Sequence, residues 1–508
     1  MENILKYKYI HIYLLLIIVF IVSYPTIYFE FVDYDDYLHL NEVKKISFKG
    51  FFRFWEKPFE GLYMPVSYNI RQILFFFSES IYGPKVKLPV IFHLYSVLNH
   101  AINIILVYFL LYTLSHKKNQ SIVGSFVFGL HPLQVESFAW TSQIGILSGF
   151  SFTIISLYLF YKYLIKNNYI FYVLSLIFFN MSILSKPNYA VLPFIILILF
   201  AGKLRFNEFL IKLTPFFLSF LAIYIVTKEI QIDDNIYFNP DIFNRIEIAV
   251  LNIFFYINKF MYPFNLVPDY GIKFTDHIDN KLLFFESLIL ICFVLLAFKY
   301  KKHCIITGLL IFFIGLAPVL GLTLFSFQNI SLVADRYIYM SIFGISYIIS
   351  KLDIKIVYFH KIICLFVMIL ILFRTSEQIN IWKDNPTLLR SILKINKRSG
   401  LAHNNLGLYY FRKNNIKKAM KHYSKAIKFS HRPSLAYQNR GNARMKIKDF
   451  NGAILDYNKV LKIKKNKSVI YYKRGISKEK LGFDGTKDIK IAAKLKYHEA
   501  KIWLKDNQ

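Results

Sequence analysis

Cysteine is almost missing from this chain: only Cys292, Cys304 and Cys364 occur in 508 residues, each in or beside an apolar run. No disulfide framework or cysteine-based zinc site can be built from them. Carboxylates are scarce too, 31 Asp and Glu against 63 Lys and Arg, for a formal net charge of +32. Charged residues reach only 19%, low for a soluble enzyme. Apolar residues fill their place: 55% of the chain is hydrophobic and 18% aromatic, with 52 Phe and 37 Tyr, and mean hydropathy is +0.39. That composition belongs in a membrane. The charge is uneven, since the residues from Arg374 onward hold 33 of the bases and 9 of the acids. Two physically different parts therefore share one chain, which excludes a uniform globular fold.

A hydrocarbon core of roughly 30 Å needs about 20 apolar residues per helix. On that ruler about eleven runs qualify, near 11–28, 89–114, 121–138, 144–164, 169–185, 188–201, 209–227, 282–298, 304–325, 336–350 and 355–373. The first follows Lys6 and Lys8, lacks a small-residue cleavage site and reads as a retained helix. Short loops test the register, because Lys and Arg favour the cytoplasmic side. Lys117-Lys118, Lys162 with Lys166, Lys203 with Arg205, Lys299 to Lys302, and Lys351 with Lys355 all fall on one side. The opposite loops include uncharged Trp140-Thr141-Ser142-Gln143 and the acidic stretch 228–245, leaving Lys186 as the main exception. The run 246–262 would invert everything downstream if it crossed, so it is assigned to an interfacial or re-entrant helix. The N-terminus is then expected in the cytoplasm and the C-terminal part outside. The bias toward Lys, Ile, Asn and Phe points to an AT-rich genome and so toward a bacterial inner membrane, while composition leaves a membrane facing the endoplasmic reticulum lumen open.

Beyond Arg374 the periodicity changes. Gly407, Gly441 and Gly475 stand 34 residues apart, the spacing of tetratricopeptide repeats. Leu406-Gly407, Tyr410, Ala419, Tyr423 and Ala426 occupy the packing positions of a first helical hairpin, and Gly441, Ala453 and Tyr457 repeat them. The third unit keeps Gly475 and Gly482 but reads one residue short before Ala492-Ala493, as a capping unit can. The expected organisation is a membrane domain over 1–373 with a first outside loop at 29–88, a connecting helix over 374–400 containing Trp382, about three repeats over 401–498, and a tail over 499–508. Arg412, Lys446 and Lys480 recur at one repeat position and predict a basic groove for an acceptor polypeptide or glycan. The plainer reading is that the excess lysine solvates the repeats or rests on anionic lipid. No nucleic-acid motif accompanies these bases, and no nucleic-acid partner is expected.

Four polar motifs interrupt the apolar part. Phe31-Val32-Asp33-Tyr34-Asp35-Asp36-Tyr37 crowds three carboxylates after the first helix. Such repulsion is tolerated where a cation or polar substrate shares the site, and one carboxylate can then take a proton from an attacking hydroxyl. A solvated loop at a helix end is the plain alternative. His131-Pro132-Leu133-Gln134-Val135-Glu136 places ionisable groups at the end of an apolar run, where they are expensive unless paired or used. Ser185-Lys186-Pro187 and Ala334-Asp335-Arg336-Tyr337 add two cations, which can snorkel to headgroups or together clamp a phosphate. All four motifs map to the outside face.

Taken in order, these motifs resemble the transmembrane and tetratricopeptide-repeat-containing O-mannosyltransferases, and their bacterial relatives in particular. The resemblance also uses Gly61-Leu62-Tyr63-Met64-Pro65-Val66-Ser67, Phe92-His93-Leu94 with Asn99-His100, Tyr262-Pro263 to Asp269-Tyr270, and the repeats. It implies an all-α fold, a polytopic helix bundle of the C-type glycosyltransferase kind followed by a tetratricopeptide α-solenoid. It also implies transfer of mannose or another hexose from a polyprenyl-phosphate carrier to Ser or Thr of a protein. Under that resemblance Asp35 or Asp36 is the catalytic base, His131 and Glu136 shape the sugar or acceptor site, and Lys186 and Arg336, with Asp335 beside them, hold the phosphate. The lipid-linked sugar is the donor, a divalent cation is possible, and the partners are membrane lipid and an acceptor held by the repeats. Two rival readings remain open: an envelope polysaccharide transferase using the same carrier, and a non-catalytic membrane scaffold whose repeats recruit partners.

Overall fold

The computed structural model describes residues 10–43, 48–59, 61–83, 89–231, 240–273, 303–323, 325–352 and 358–507. Among them every regular element is helical, apart from one isolated bridge between Phe59 and Leu62. The chain divides into two compact units, Met1–Asp384 and Asn385–Gln508.

The first unit contains α1 (Ile10–Ser23), α2 (Asp36–Glu42), α3 (Phe48–Glu56), α4 (Pro65–Tyr82), α5 (Val90–Ser115), α6 (Lys118–Leu130) and α7 (Val135–Ala139). It continues with α8 (Ile144–Lys166), α9 (Tyr169–Ser185), α10 (Leu192–Phe200), α11 (Phe206–Gln231), α12 (Ile242–Met261), α13 (His303–Leu316), α14 (Ile342–Lys351) and α15 (Tyr358–Asn380). Among the described residues four stretches are long and apolar enough to cross a membrane, Ile10–Tyr28, Val90–Ser115, Thr141–Lys166 and Phe206–Ile230, or five if Leu365–Asn380 and Asn385–Ile395 count as one span. Of the about eleven spans expected, the described residues carry these four to five at full length. The run 282–298 lies outside the described residues. Several others are broken by proline, which has no N–H to continue the helical ladder. The run 121–138 leaves the helix at His131-Pro132, and 188–201 opens with a 3-10 turn at Pro187–Val191 before the nine residues of α10. The run 304–325 ends its 14-residue helix ahead of Pro318, and 336–350 starts with a 3-10 turn that leaves the ten residues of α14. At 1.5 Å per residue, a helix of about 14 residues spans about 21 Å, short of the hydrocarbon core. The segment 246–262 is helical up to Met261 as part of the 20-residue α12, which is not among the helices apolar enough to cross.

Small residues let these helices approach closely. The hydroxyls of Ser156 and Ser175 each donate to the other residue's carbonyl at 2.7 Å, which locks α8 against α9. A Cβ on Gly145 would lie 2.3 Å from the Ser67 hydroxyl and 2.7 Å from the Ser185 carbonyl. That glycine is therefore the point where the starts of α4 and α8 meet the end of α9. The Ser67 hydroxyl seals the junction by donating to the Ser185 carbonyl at 2.9 Å. Lys186 follows immediately, so the packing of three helices sets where its side chain begins.

The second unit is a row of helices: α16 (Asn385–Ile395), α17 (Gly400–Arg412), α18 (Ile416–Phe429), α19 (Ser434–Lys446), α20 (Phe450–Ile463), α21 (Ser468–Glu479), α22 (Thr486–Lys494) and α23 (His498–Asp506). Each hairpin is closed by a glycine against a large side chain. A Cβ at Gly407 would sit 2.6 Å from the Tyr423 ring, at Gly441 2.7 Å from Tyr457, and at Gly475 2.6 Å from Ile489. In sequence those partners are 16, 16 and 14 residues apart, so the third unit is two residues short in its turn rather than one. The shorter turn is tied by Gly485, whose N–H donates to the Glu479 carboxylate at 2.7 Å. Arg440 makes a bidentate pair with Asp456 at 2.8 and 3.0 Å, and Arg474 repeats it with Asp488 at 2.5 and 2.9 Å.

Candidate functional site

The breaks that shorten the apolar runs are also where polar side chains enter the first unit. The chain leaves α1, turns, and starts α2 at Asp36, whose carboxylate is held on both oxygens. Oδ2 accepts from the Val32 N–H at 3.0 Å and Oδ1 from the Ser142 hydroxyl at 2.5 Å. Ser142 in turn offers its carbonyl to Arg71 Nη2 at 2.6 Å. Asp36 thus joins the loop after α1 to the start of the Thr141–Lys166 helix, and a buried arginine from α4 closes the arrangement. A cavity beside them is lined by Phe31, Asp36, His39, Arg71 and Thr141.

Asp35 is different. Its carboxylate has no hydrogen-bond partner among the described residues, and the charges acting on it are Arg336, Asp36, Lys186 and Arg71. Burial raises its pKa to about 7, further helped by the Asp36 charge and opposed by the three cations. Asp36 is also raised by burial, against its bonds to Ser142 and Val32. Lys186, whose ammonium makes no hydrogen bond or ion pair among the described residues, is lowered to about 8 by burial and by Arg336 and Arg71, with Asp35 pulling the other way. One largely buried carboxylate without a hydrogen-bond partner among the described residues therefore stands among three cations contributed by α4, the end of α9 and the 3-10 turn Asp335–Ile338.

Behind this group Arg336 is buried and paired. Its Nη1 donates to Glu136 Oε1 at 2.5 Å, and its guanidinium lies 4.2 Å from the Phe327 ring centroid, 4.8 Å from Tyr337 and 5.3 Å from Trp140. Trp140 meets Tyr34 edge-on at 5.3 Å and stacks on Trp382 at 5.7 Å. Asp335 accepts from the Tyr270 hydroxyl at 2.6 Å through one oxygen. Around the pair several buried polar atoms lack a partner: Glu136 Oε2, Asp335 Oδ2, the Tyr34 hydroxyl, the indole N–H groups of Trp140 and Trp382, and Arg71 Nε. Buried polar atoms are hydrogen-bonded in the great majority of proteins. So dense a set of unused donors and acceptors marks a place prepared for a polar ligand or for ordered water.

The structure brings Asp35, Asp36, Glu136, Lys186, Asp335 and Arg336 into one region, from segments up to 300 residues apart in sequence. His131 is placed otherwise. Its Nδ1 accepts from the Leu133 N–H at 3.3 Å, its Nε2 bonds the Phe260 carbonyl at 3.0 Å, and its ring stacks on Phe260 at 4.6 Å. Nδ1 is spent on the turn at Pro132 and Nε2 on tying that turn to α12, so neither remains for a ligand in this arrangement. Arg71 belongs to no motif read from the sequence, and Ser142, Tyr34, Trp140, Tyr270 and Trp382 stand in segments named there without a role being given to them. A buried arginine in the middle of α4 was the one signal that could have pointed to Arg71. Among the described residues no three His, Cys, Asp or Glu side chains are grouped to hold a metal ion.

In the second unit Arg412, Lys446 and Lys480 stand exposed at the C-terminal ends of α17, α19 and α21, with Lys446 over the Phe411 ring at 5.1 Å. Asn439 donates to Asn404 at 3.0 Å, and Lys473 donates to Asn442 at 2.8 Å. Residues 400–431 and 435–467 each match the tetratricopeptide repeat. The second unit carries two tetratricopeptide repeats. No curated protein matches the chain. A solved structure described as the APC/C hetero-tetramer Cut9-Hcn1 aligns with 87% of this chain and 89% of its own at 12% identity, with a TM-score of 0.24. Repeats of this kind serve as scaffolds whose stacked helices present an extended binding surface, and the apolar helices of the first unit suit association with a membrane.

Proposed function

We propose that the first unit is a membrane-embedded glycosyltransferase that moves a hexose, mannose or a close relative, from a polyprenyl-phosphate carrier to Ser or Thr of a protein acceptor, while the repeats hold the acceptor or a partner. The single observation that carries this reading is Asp35, a carboxylate without a hydrogen-bond partner among the described residues, poised at about pH 7 among Arg71, Lys186 and Arg336. A general base works best with a pKa near the working pH. In the proposed step Asp35 takes the proton from the acceptor hydroxyl as its oxygen bonds to the anomeric carbon. The bond from that carbon to the phosphate oxygen breaks, and the lipid phosphate leaves with the electron pair. Lys186 and Arg71 meet the charge that gathers on the departing phosphate, in a site that excludes water. Arg336, already paired with Glu136, orients the group rather than supplying an uncommitted charge.

The test is mass spectrometry of envelope glycopeptides and lipid-linked sugars from cells carrying native protein or Asp35→Asn at matched expression. Loss of hexose from Ser and Thr peptides with accumulation of the lipid-linked sugar supports the reading. A missing glycan instead of a glycopeptide would point to a polysaccharide acceptor. The second reading, a scaffold without catalysis, is favoured by the two matched repeats. It expects both sugar pools to stay unchanged in Asp35→Asn and partner recruitment to fail when residues 385–508 are removed.

A further inference from the structure

The second helix of each repeat buries one row of residues and exposes the opposite row. In α18 the buried row is Ala419, Tyr423 and Ala426, and the row half a turn away is Lys417, Lys421, Lys425 and Lys428, all exposed. The spacing of four, four and three residues keeps these lysines on one stripe. In α20 the buried row is Ala453, Tyr457 and Val460, and the exposed stripe reads Asn451, Leu455, Lys459 and Lys462. Allowing for the two-residue shortening, α22 continues it with Lys487, Ile491 and Lys494. These three helices hold two carboxylates, Asp456 and Asp488, and both are buried against arginines of the preceding helices. None is left on the outer stripe.

Like charges four residues apart repel, so a lysine-only stripe weakens α18 unless an anionic surface compensates. Solvation alone would be served as well by mixed charge. Two apolar side chains interrupt the lysines, Leu455 at 65% exposure and Ile491 at 39%. Lysines with interleaved aliphatic side chains suit a lipid headgroup layer, where the ammonium groups meet phosphates and the apolar tips reach the acyl boundary. The same chain carries at least four helices long and apolar enough to cross a bilayer. A tethered membrane acts at high effective concentration, so weak docking suffices.

We propose that the outer face of α18, α20 and α22 docks on an anionic lipid surface. The inference is independent of the transferase reading, since it uses no residue of the first unit. The test is mono-functional amine labelling of the full chain in lipid nanodiscs, read lysine by lysine by mass spectrometry. In discs holding about 30% phosphatidylglycerol, labelling of Lys421, Lys425, Lys459 and Lys462 is expected to fall about threefold or more relative to phosphatidylcholine discs, since each contact contributes about a fivefold attraction. Protection should disappear in about 1 M NaCl, where the Debye length is about 3 Å, while Lys446 and Lys480 label equally throughout. Replacing Lys417, Lys421, Lys425 and Lys428 together by Gln touches only exposed side chains and should restore labelling of Lys459 and Lys462. Equal labelling in the two lipids would overturn the proposal. So would protection that appears in phosphatidylcholine discs on adding RNA or an acidic protein, which would assign the stripe to that partner instead.

Discussion

Asp36 and Ser142 are 106 residues apart in sequence, and the Ser142 hydroxyl donates to the Asp36 carboxylate at 2.5 Å. That bond, with the one from the Val32 N–H, commits Asp36 to holding the loop after α1 against the next polar turn. Its neighbour Asp35 has no such commitment, so the two adjacent acids should separate on mutation. Asp36→Asn removes a charged acceptor and is expected to cost about 1–3 kcal/mol, read as a lower melting temperature in detergent. Asp35→Asn should melt no lower than the native protein, and higher above pH 7 where the buried charge is removed, and should lose transfer. Equal melting of both variants would remove the structural role given to Asp36.

The pH dependence follows from the two uncommitted groups. Transfer should rise as Asp35 deprotonates around pH 7 and decline as Lys186 loses its proton around pH 8, giving a narrow bell. Asp35→Asn should abolish the bell, and Lys186→Arg should move only its alkaline limb upward. Stability has its own signs. A carboxyl raised from 3.8 to about 7 keeps its proton longer when folded, so its contribution falls as pH climbs through that window. A lysine lowered from 10.5 to about 8 sheds its proton sooner when folded, so its contribution grows with pH across that range. Melting curves of native protein, Asp35→Asn and Lys186→Met between about pH 4 and 10 measure both contributions.

The Arg336 and Glu136 pair is buried on both sides. Removing one partner leaves an uncompensated charge, so Glu136→Gln or Arg336→Met alone should destabilise by about 3–5 kcal/mol, whereas the double change to apolar residues should recover much of that. Chemical denaturation of the single and double variants measures the coupling. Transfer activity should not return in the double variant, because the group that orients the phosphate end is gone.

In the repeats, Gly441 faces the Tyr457 ring so closely that a Cβ would sit 2.7 Å away. Gly441→Ala should force the two helices apart and cost about 1–3 kcal/mol, seen as earlier loss of helical circular dichroism. The companion Gly441→Ala with Tyr457→Leu should recover part of the loss, since it shortens the side chain that the new methyl meets.

Much of the site region was visible as interruptions of apolar sequence. Asp35, Glu136, Lys186 and Arg336 stand out because charge in such runs is costly and is retained for a purpose. The same hydropathy overcounted the spans, because it does not register that a proline at 132, 187 or 318 ends a helix inside an apolar run. Arg71 lies in a segment of ordinary composition and Trp140 in an uncharged loop, and nothing local shows that their side chains turn toward Ser142 and Arg336 respectively. The lysine stripe of α18 was hidden in the overall basic excess until burial of Tyr423 fixed which side faced outward.

The sequence by itself determined the helical character, the division into an apolar and a basic part, and the 34-residue repeat, because these depend on composition and on spacing along the chain. Tertiary structure alone decided which of two adjacent aspartates is tied down, that His131 spends one nitrogen on its own turn and the other on the Phe260 carbonyl, and that Arg336 is neutralised by a residue 200 positions earlier. Those outcomes depend on burial and on contacts between distant segments. A carboxylate's pKa and a cation's availability are set by what surrounds them in space, and neighbours in sequence do not reveal that.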